Sequence, residues 1–245
     1  METAVGTVGE SPFITQDWNA YTADDHEAWR LLYERRMREL RQTGSRVFLD
    51  GAEAIGLRRD AVPDLADVNA RLAARTGWAA VPVKGFLPAR EFFACLERRR
   101  FPTTVTVRPK DRLDYVPEPD IFHDVFGHVP LHANPVFADF LQAFGALAAG
   151  ASDDALTRLA RLFWFTVEFG LIREEGAVKV YGSGLISSAG DAANALSDRC
   201  DRRPFALDAV FAQPFEIDRF QDVLFVVESF DQLFDAVGKV ERRVS

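Results

Sequence analysis

The chain has 245 residues, a length that fits one large domain or two small ones. Its 48% apolar and 27% charged residues exclude wholesale disorder and a fibrous protein. The 29 basic and 37 acidic residues give a net charge of −8, which disfavours nonspecific binding to nucleic acid and to anionic membranes.

Two further features concern location and ligand class. No apolar run approaches the roughly 18–20 residues that span a bilayer, and the N-terminal residues are polar and acidic rather than signal-like. Only Cys95 and Cys200 are cysteines, so we expect a cytoplasmic protein without a disulfide framework. Phenylalanine occurs 21 times, against 4 tyrosines and 4 tryptophans, which suits either a core or a pocket for a flat apolar ligand.

The first half of the chain predicts mostly helices. Residues 1–20 show no periodicity and are predicted to form an N-terminal arm or strap. Thr22-Ala-Asp-Asp25 resembles a capping box, with Asp in place of Glu, and apolar residues at helical spacing follow it as far as Gly44. Further segments are predicted as helices over 47–55, 64–75 and 88–99 and as a strand over 78–83.

The second half mixes strands and helices. The β-branched run Thr103–Val107 predicts a strand that leads into Arg108. On such a strand Thr106 faces the same side as Arg108, and Val107 faces the opposite side. The glycine- and serine-rich segment 182–190 is predicted to be a loop. The remaining segments are predicted as helices over 121–129, 135–149, 152–169, 207–211 and 230–240, as a strand over 177–181 and as an apolar run over 222–228.

This inventory defines the fold class. It is mainly helical with a few short strands, and no linker rich in glycine, serine or proline divides it. We therefore predict a mainly α fold with a minor β component, in which residues 21–245 form a single domain.

Two of the four histidines lie close together in an apolar segment. His26 and His132 are expected at the surface, whereas His123 and His128 are separated by apolar residues and Asp124. Five residues on a regular α-helix turn through about 500°, which leaves the two side chains about 140° apart. Both reach one metal ion only if the helix ends or loosens near the second histidine, which Gly127 and Pro130 would allow. Two histidines that are simply part of the core are the alternative.

A third candidate ligand is Glu168, the single carboxylate in the apolar segment 160–169. A buried charge needs a partner, and Arg173, Lys179 and a metal ion are the alternatives. Two histidines and one carboxylate are typical of non-haem Fe(II) oxygenases, which keep coordination positions open. A zinc hydrolase with Asp124 as general base is a second interpretation, although no glutamate follows His123 as it does in the zincin motif.

Three segments in register point to one family. Residues 117–130 resemble the iron-binding segment of the pterin-dependent aromatic amino acid hydroxylases, and residues 164–170 and 181–188 resemble two further signatures of that family. The similarity extends through 78–108 and 215–236, and it is greatest to the short bacterial members that act on phenylalanine. The resemblance implies a single hydroxylase catalytic domain that uses Fe(II), a tetrahydropterin and O2 to hydroxylate the ring of a free aromatic amino acid.

The resemblance also implies a role for individual residues. The iron ligands would be His123, His128 and Glu168. Residues that contact the amino acid substrate would be Arg108, which binds its carboxylate, and Tyr115, Pro119, Trp164, Ser187 and Asp191. Residues beside the pterin would be Phe92, which stacks on it, and Leu87, Asp124 and Ala160. These assignments define a compact set of side chains that the fold has to bring together.

Three positions depart from the family pattern near the substrate. Thr106 stands where relatives often carry an aromatic residue, Val107 follows it, and Val116 replaces a hydroxylic residue. A change in pocket volume at these positions would alter how the ring sits. Hydroxylation of phenylalanine at the meta position and hydroxylation of tryptophan are therefore alternatives to hydroxylation at the para position.

The length of the chain predicts a simple assembly. We expect a monomer, because the family's regulatory domain and long tetramerisation helix have no counterpart in the sequence. No nucleic acid or membrane partner is expected. A non-catalytic amino acid-binding protein that retains the three ligands as a vestige is a third interpretation, which the presence of Phe92 and Arg108 disfavours.

Overall fold

A computed structural model describes residues 11–114 and 119–244 of the chain, and helices predominate in it. Helix α1 begins with the predicted capping box: the Thr22 hydroxyl accepts a hydrogen bond from the backbone N–H of Asp25, and the Asp25 carboxylate accepts one from the backbone N–H of Thr22. Within the described residues the α-helices are Ala23–Thr43 (α1), Arg46–Ala54 (α2), Leu65–Arg75 (α3), Ala89–Glu97 (α4), Pro135–Ala149 (α5), Asp153–Phe163 (α6), Ser183–Ser187 (α7), Ala189–Leu196 (α8), Leu207–Ala212 (α9) and Phe230–Val244 (α10).

Other helical segments are wound differently. Short 3₁₀-helices are formed by Trp18–Ala20, Lys110–Arg112 and Val129–Ala133. Two π-helices are formed by Phe122–His128, the first π-helix, and Trp164–Glu168, the second π-helix. The predicted helices over 121–129 and 152–169 are confirmed as helical, but their winding is not α throughout: the chain adopts π winding from Phe122 and changes from α to π winding at Trp164. None of the helices in the described ranges is both long and apolar enough to cross a membrane.

The strands form two small sheets. Strands Ala79–Pro82 (β1) and Arg100–Thr103 (β2) pair in parallel. The second sheet has the order β4-β3-β6-β5 and contains the strands Leu171–Glu174 (β3), Ala177–Val180 (β4), Asp201–Pro204 (β5) and Val223–Val227 (β6). Strands β3 and β4 form an antiparallel hairpin, whereas β6 runs parallel to both β3 and β5. Residues 1–10 of the predicted N-terminal arm lie outside the described residues. In its remaining part Phe13 forms an antiparallel bridge with Val83, directly after β1.

The predicted strand over Thr103–Val107 is wrong beyond its first residue. Strand β2 ends at Thr103, whose carbonyl accepts a hydrogen bond from the backbone N–H of Val83. The next residue, Thr104, turns away and donates both its backbone N–H and its hydroxyl to the Asp124 carboxylate. Thr104 hydrogen bonds to the buried Asp124 carboxylate instead of continuing the strand. The prediction that Thr106 and Val107 face opposite sides of a strand therefore does not apply.

The predicted loop over 182–190 is also wrong, since it contains α7 and the start of α8. Its glycines serve close packing rather than a flexible loop. A Cβ atom on Gly182 would lie 2.3 Å from the backbone nitrogen of Gly170 and 2.5 Å from the carbonyl oxygen of Glu168. Only glycine therefore fits where α7 meets the second π-helix.

Phenylalanine fills the interior. The largest fully buried side chains include two tryptophans, one tyrosine and nine phenylalanines: Trp29, Trp78, Tyr181, Phe48, Phe101, Phe122, Phe126, Phe137, Phe140, Phe144, Phe165 and Phe225. The prediction that His132 lies at the surface is wrong: it is fully buried and stacks on Trp78 with ring centroids 4.7 Å apart. Burial and the neighbouring His128 hold the pKa of His132 well below its usual value, so this imidazole is neutral.

Candidate active site

The first π-helix explains how two histidines five residues apart meet. In a π-helix the hydrogen bonds run from residue i to i+5, so residues five apart lie on the same face of the helix. The 140° separation expected of an α-helix therefore does not arise. The rings of His123 and His128 lie with their centroids 5.1 Å apart and nearly perpendicular. The winding of the segment, rather than a break at Gly127 or Pro130, aligns them.

Glu168, the last residue of the second π-helix, faces both rings. Its Oε1 lies 3.3 Å from His128 Nε2, and its Oε2 lies 3.7 Å from His123 Nε2. One potential ligand atom from each of the three residues lies within 4.8 Å of the others. The alternative partners for Glu168 are engaged elsewhere, because Arg173 pairs with Glu228 and Lys179 donates to the carbonyl oxygen of Gln42.

A hydrogen bond from His123 to Ser187 selects the ring nitrogen that faces Glu168. The Ser187 hydroxyl donates to the carbonyl oxygen of Ser183, so it accepts at 3.0 Å from Nδ1–H of His123. Nδ1 therefore carries the proton, and Nε2 presents its lone pair towards Glu168. A fixed tautomer of this kind is usual for a histidine that binds a metal ion.

Glu168 is held as a carboxylate. Burial raises the pKa of this group, but the nearby His128 and His123 and hydrogen bonds from His128 and Ser183 outweigh it and bring the pKa to about 2. The Ser183 hydroxyl donates to Oε2 at 2.7 Å. Two imidazoles and one ionised carboxylate grouped in this way are the donor set of Fe(II) sites with open positions, so the residues fit such an ion.

Arg108 is buried beside this cluster and is oriented by Asp120. Its Nε and Nη2 each donate one hydrogen bond to the Asp120 carboxylate, both at 2.8 Å. Its Nη1 donates to the carbonyl oxygen of Leu113 at 3.1 Å. Three of the five guanidinium N–H groups are used in this way. Among the described residues, the two that remain, one on each Nη nitrogen, have no partner, and together they form a fork that matches a carboxylate.

Asp120 is a site residue that the sequence did not reveal. Besides holding Arg108, it accepts a hydrogen bond from the backbone N–H of His123 at 3.0 Å. It thus joins the arginine to the first π-helix. The carboxylate paired with Arg108 is that of Asp120. Asp191, which the resemblance placed among the substrate contacts, is half-buried at the N-terminus of α8, and burial raises its pKa. The one sequence signal for the pairing of Arg108 with Asp120 is that this aspartate directly precedes the histidine segment.

Trp164 lies in an aromatic stack at the start of the second π-helix. Its ring centroid is 4.5 Å from that of Phe215 and 4.6 Å from that of Phe169. Its Nε1 donates to Gln221 Oε1 at 3.3 Å, and the Gln221 amide group donates to the carbonyl oxygens of Glu216 and Arg219. Gln221, which the sequence analysis did not single out, therefore holds the orientation of the Trp164 ring.

A second aromatic group contacts His128. Phe101 contacts His128 with centroids 4.7 Å apart and Phe92 with centroids 5.8 Å apart. Phe92 is only partly buried, although Phe163 also packs against it edge-on. The exposed part of the Phe92 ring is available for a flat bicyclic ring to stack on, one side chain away from a candidate iron ligand.

The other predicted pterin residues are described with Phe92. Leu87 and Ala160 are half-buried. Asp124 is buried next to His123, and its Oδ2 accepts hydrogen bonds from the Thr104 backbone at 2.7 Å and hydroxyl at 2.6 Å. Burial raises the pKa of Asp124 against the opposing effects of His123 and Thr104.

The remaining predicted residues have mixed outcomes. Pro119 is half-buried and directly precedes Asp120. Thr106 is exposed and Val107 half-buried, whereas Arg108 is buried, so Thr106 and Arg108 do not share one face of a strand. Tyr115 and Val116 lie outside the described residues.

Comparison with known proteins identifies relatives over nearly the whole chain. A family model described as biopterin-dependent aromatic amino acid hydroxylase matches residues 17–244. The phenylalanine-4-hydroxylase of Ralstonia nicotianae is 44% identical over 225 residues, which are 91% of this chain and 72% of that protein.

Solved structures agree with these matches. The phenylalanine hydroxylase of Chromobacterium violaceum with bound iron(III) and oxidised cofactor 7,8-dihydrobiopterin superposes with a TM-score of 0.90, at 42% identity, over 95% of this chain and 86% of that one. The iron- and phenylalanine-bound structure of the same enzyme has a TM-score of 0.87, at 40% identity, over 95% and 87% of the two chains.

Proposed function

The chain belongs to the biopterin-dependent aromatic amino acid hydroxylases, and from this premise we propose that it is an iron- and tetrahydropterin-dependent monooxygenase that converts L-phenylalanine to L-tyrosine. The observation that carries the proposal is the alignment of His123, His128 and Glu168 by two π-helices. The relatives named for this reaction, one with iron and dihydrobiopterin and one with iron and phenylalanine, support it.

His123, His128 and Glu168 would hold the iron, and Phe92 would stack on the pterin. When bound, iron and tetrahydropterin together activate O2 and supply the oxidising power for ring hydroxylation. The Ser187 hydroxyl keeps the His123 proton on Nδ1 and so leaves Nε2 free as a ligand. The Ser183 hydroxyl restrains the Glu168 carboxylate. The protein therefore contributes a fixed set of ligands and a fixed tautomer.

Arg108 and Trp164 would orient the amino acid. The two free N–H groups of Arg108 form a bidentate pair with its carboxylate, as the planar guanidinium favours. Trp164, held by Gln221, forms a wall beside the ring. The phenylalanine-rich surroundings, including Phe101 next to His128, keep water away from the reacting groups. Arg108 and Trp164 would thus position the ring of the amino acid, and the phenylalanines would keep its surroundings dry.

Product analysis tests this function. Apoprotein would be loaded anaerobically with Fe(II) and supplied with tetrahydropterin, O2 and equal amounts of L-phenylalanine and L-tryptophan. We expect para-tyrosine as the main product, with the pterin consumed, and no restoration of activity by Zn(II). meta-Tyrosine or 5-hydroxytryptophan as the main product would contradict the substrate assignment, and an unconsumed pterin would contradict the oxygenase.

We also assign the catalytic domain to residues 21–245, with residues 1–20 as an arm, and infer a cytoplasmic monomer. Both cysteines are buried free thiols, which suits a reducing compartment. Among the described helices, none presents more than one large exposed apolar side chain, so no helical face suggests a subunit interface. Size-exclusion chromatography with light scattering should give a mass near 27.4 kDa, and a stable dimer or tetramer would contradict the monomer.

A change at Gln221 should affect substrate binding more than iron binding. Gln221→Leu leaves the Trp164 Nε1–H without its acceptor, which costs about 1–3 kcal/mol and releases the ring. We expect KM for phenylalanine to rise several-fold and the fraction of non-para product to increase, with Fe(II) affinity unchanged. Gln213→Leu, in the same loop but bonded to Pro214, is the control. An unchanged KM and product ratio in Gln221→Leu would show that Gln221 does not position the wall.

A further inference from the structure

Arg36 is a buried cation far from the candidate ligands in sequence. It lies on α1, and its side chain is only 3% exposed. Nε donates to the carbonyl oxygen of Ile186 at 2.8 Å, Nη2 donates to that of Leu185 at 3.0 Å, and Nη1 pairs with Glu39. Burial of a guanidinium is costly in free energy, so the groups that it bonds to indicate which part of the structure it stabilises. Two of them are backbone carbonyls at the C-terminal end of α7.

Helix α7 touches two of the three candidate iron ligands. The Ser183 hydroxyl at its start donates to Glu168, and the Ser187 hydroxyl at its end accepts from His123. The planar fork of Arg36 therefore holds the turn that carries both serines. A cation at the C-terminal end of a helix is also favoured by the partial negative charge of the terminal carbonyls.

Close contacts leave α7 little freedom to move independently of the ligand segments. A Cβ atom on Gly127, in the first π-helix, would lie 3.1 Å from both the Cβ and the carbonyl oxygen of Ser183. On the other side, Gly182 approaches the second π-helix at Glu168 so closely that no Cβ atom fits. A displacement of α7 is thus transmitted to both π-helices.

We propose that Arg36 is a positioning residue of the metal centre, which fixes α7 so that Ser183 and Ser187 hold Glu168 and His123 in the geometry that binds the ion. The inference rests on the proposed function, because it requires that the three ligands bind a metal. Arg36 itself contacts neither ligand, and its effect passes entirely through α7.

Metal affinity separates this role from a merely structural one. Apoprotein would be titrated with Co(II) by calorimetry, and its visible absorption spectrum would report the coordination geometry. We expect Arg36→Met to lower Co(II) affinity by about 10- to 100-fold and to alter the spectrum, as found when outer partners of metal ligands are removed. Arg36→Lys, which keeps the charge but not the fork, should lose less.

Arg30→Met is the matched control. Arg30 lies on the same helix, but its ion pairs are with Glu27 and Glu34 of that helix and not with α7. It should leave Co(II) affinity and the spectrum unchanged. Thermal unfolding of each apoprotein would show whether a loss of affinity merely follows a loss of stability.

A double-mutant cycle tests the route through α7. If Arg36 acts through Ser183, the loss of affinity in Arg36→Lys combined with Ser183→Ala is smaller than the product of the two single losses. Multiplicative losses, or unchanged affinity and spectrum in both Arg36 variants, would overturn the proposal. Failure of both variants to fold as apoproteins would make Arg36 a determinant of the fold and would overturn it equally. Absence of Co(II) binding by the unmodified protein would instead contradict the proposed function.

Discussion

Glu168→Gln should lower Fe(II) affinity by more than about 100-fold, since loss of a direct ligand exceeds the 10- to 100-fold typical of outer partners. The substitution keeps the shape of the side chain, removes the negative charge and replaces one carboxylate oxygen by an NH2 group. Within the part of the chain that the structure describes, Glu168 supplies the one carboxylate grouped with both imidazoles, and its pKa of about 2 keeps it ionised at neutral pH. We expect turnover to fall with iron occupancy. Calorimetric titration of the apoprotein with Fe(II) under anaerobic conditions measures the effect.

The control for this change is Glu175→Gln, an exposed glutamate in the turn between β3 and β4. It makes the same change of charge close in sequence and should bind Fe(II) as the unmodified protein does. Equal Fe(II) affinity in Glu168→Gln and Glu175→Gln would show that the carboxylate is not a ligand.

Arg108→Lys should lower kcat/KM for phenylalanine by at least about 100-fold, because two charge-assisted hydrogen bonds to the substrate carboxylate contribute about 3 kcal/mol or more. Lysine keeps the charge but cannot bond Asp120 through one edge and present a fork from the other. Steady-state kinetics with saturating tetrahydropterin and iron measure the loss.

Phenethylamine, which lacks the carboxylate, separates recognition from a general disturbance. The unmodified protein should prefer phenylalanine strongly. Arg108→Lys should reduce this preference, because phenethylamine has no carboxylate to bind the two N–H groups of Arg108. A loss that is equally large for both compounds would show that Arg108 supports the structure and does not bind the carboxylate. Arg112→Lys, at the end of the neighbouring 3₁₀-helix, is the control for charge near this segment.

The candidate ligands were predictable, but their alignment was not. His123, His128 and Glu168 stand out because polar groups in apolar segments need partners, and their chemistry suggests a metal. A helical period of 3.6 residues places the two histidines on different faces. Only the backbone winding in the three-dimensional structure shows that the relevant hydrogen bonds run from i to i+5, since no residue type marks a π-helix.

Long-range partners explain the other differences. The β-branched run after Thr103 favours a strand, but the buried Asp124 carboxylate captures Thr104. The glycines of 182–190 suggest a loop, but they are required by the approach of α7 to Glu168. Arg36 is 149 residues from Leu185, so its contact with α7 leaves no local signal. Local propensity predicted most helices correctly and failed where a tertiary contact competed with it.

The most direct test of the candidate metal centre is an anomalous difference map, recorded at the iron absorption edge, from crystals of the Fe(II)-loaded protein. We expect a single strong peak within bonding distance of Nε2 of His123, Nε2 of His128 and a carboxylate oxygen of Glu168. A peak at any other position, or none at these three side chains in fully loaded protein, would contradict the assignment of the ligands and with it the proposed oxygenase.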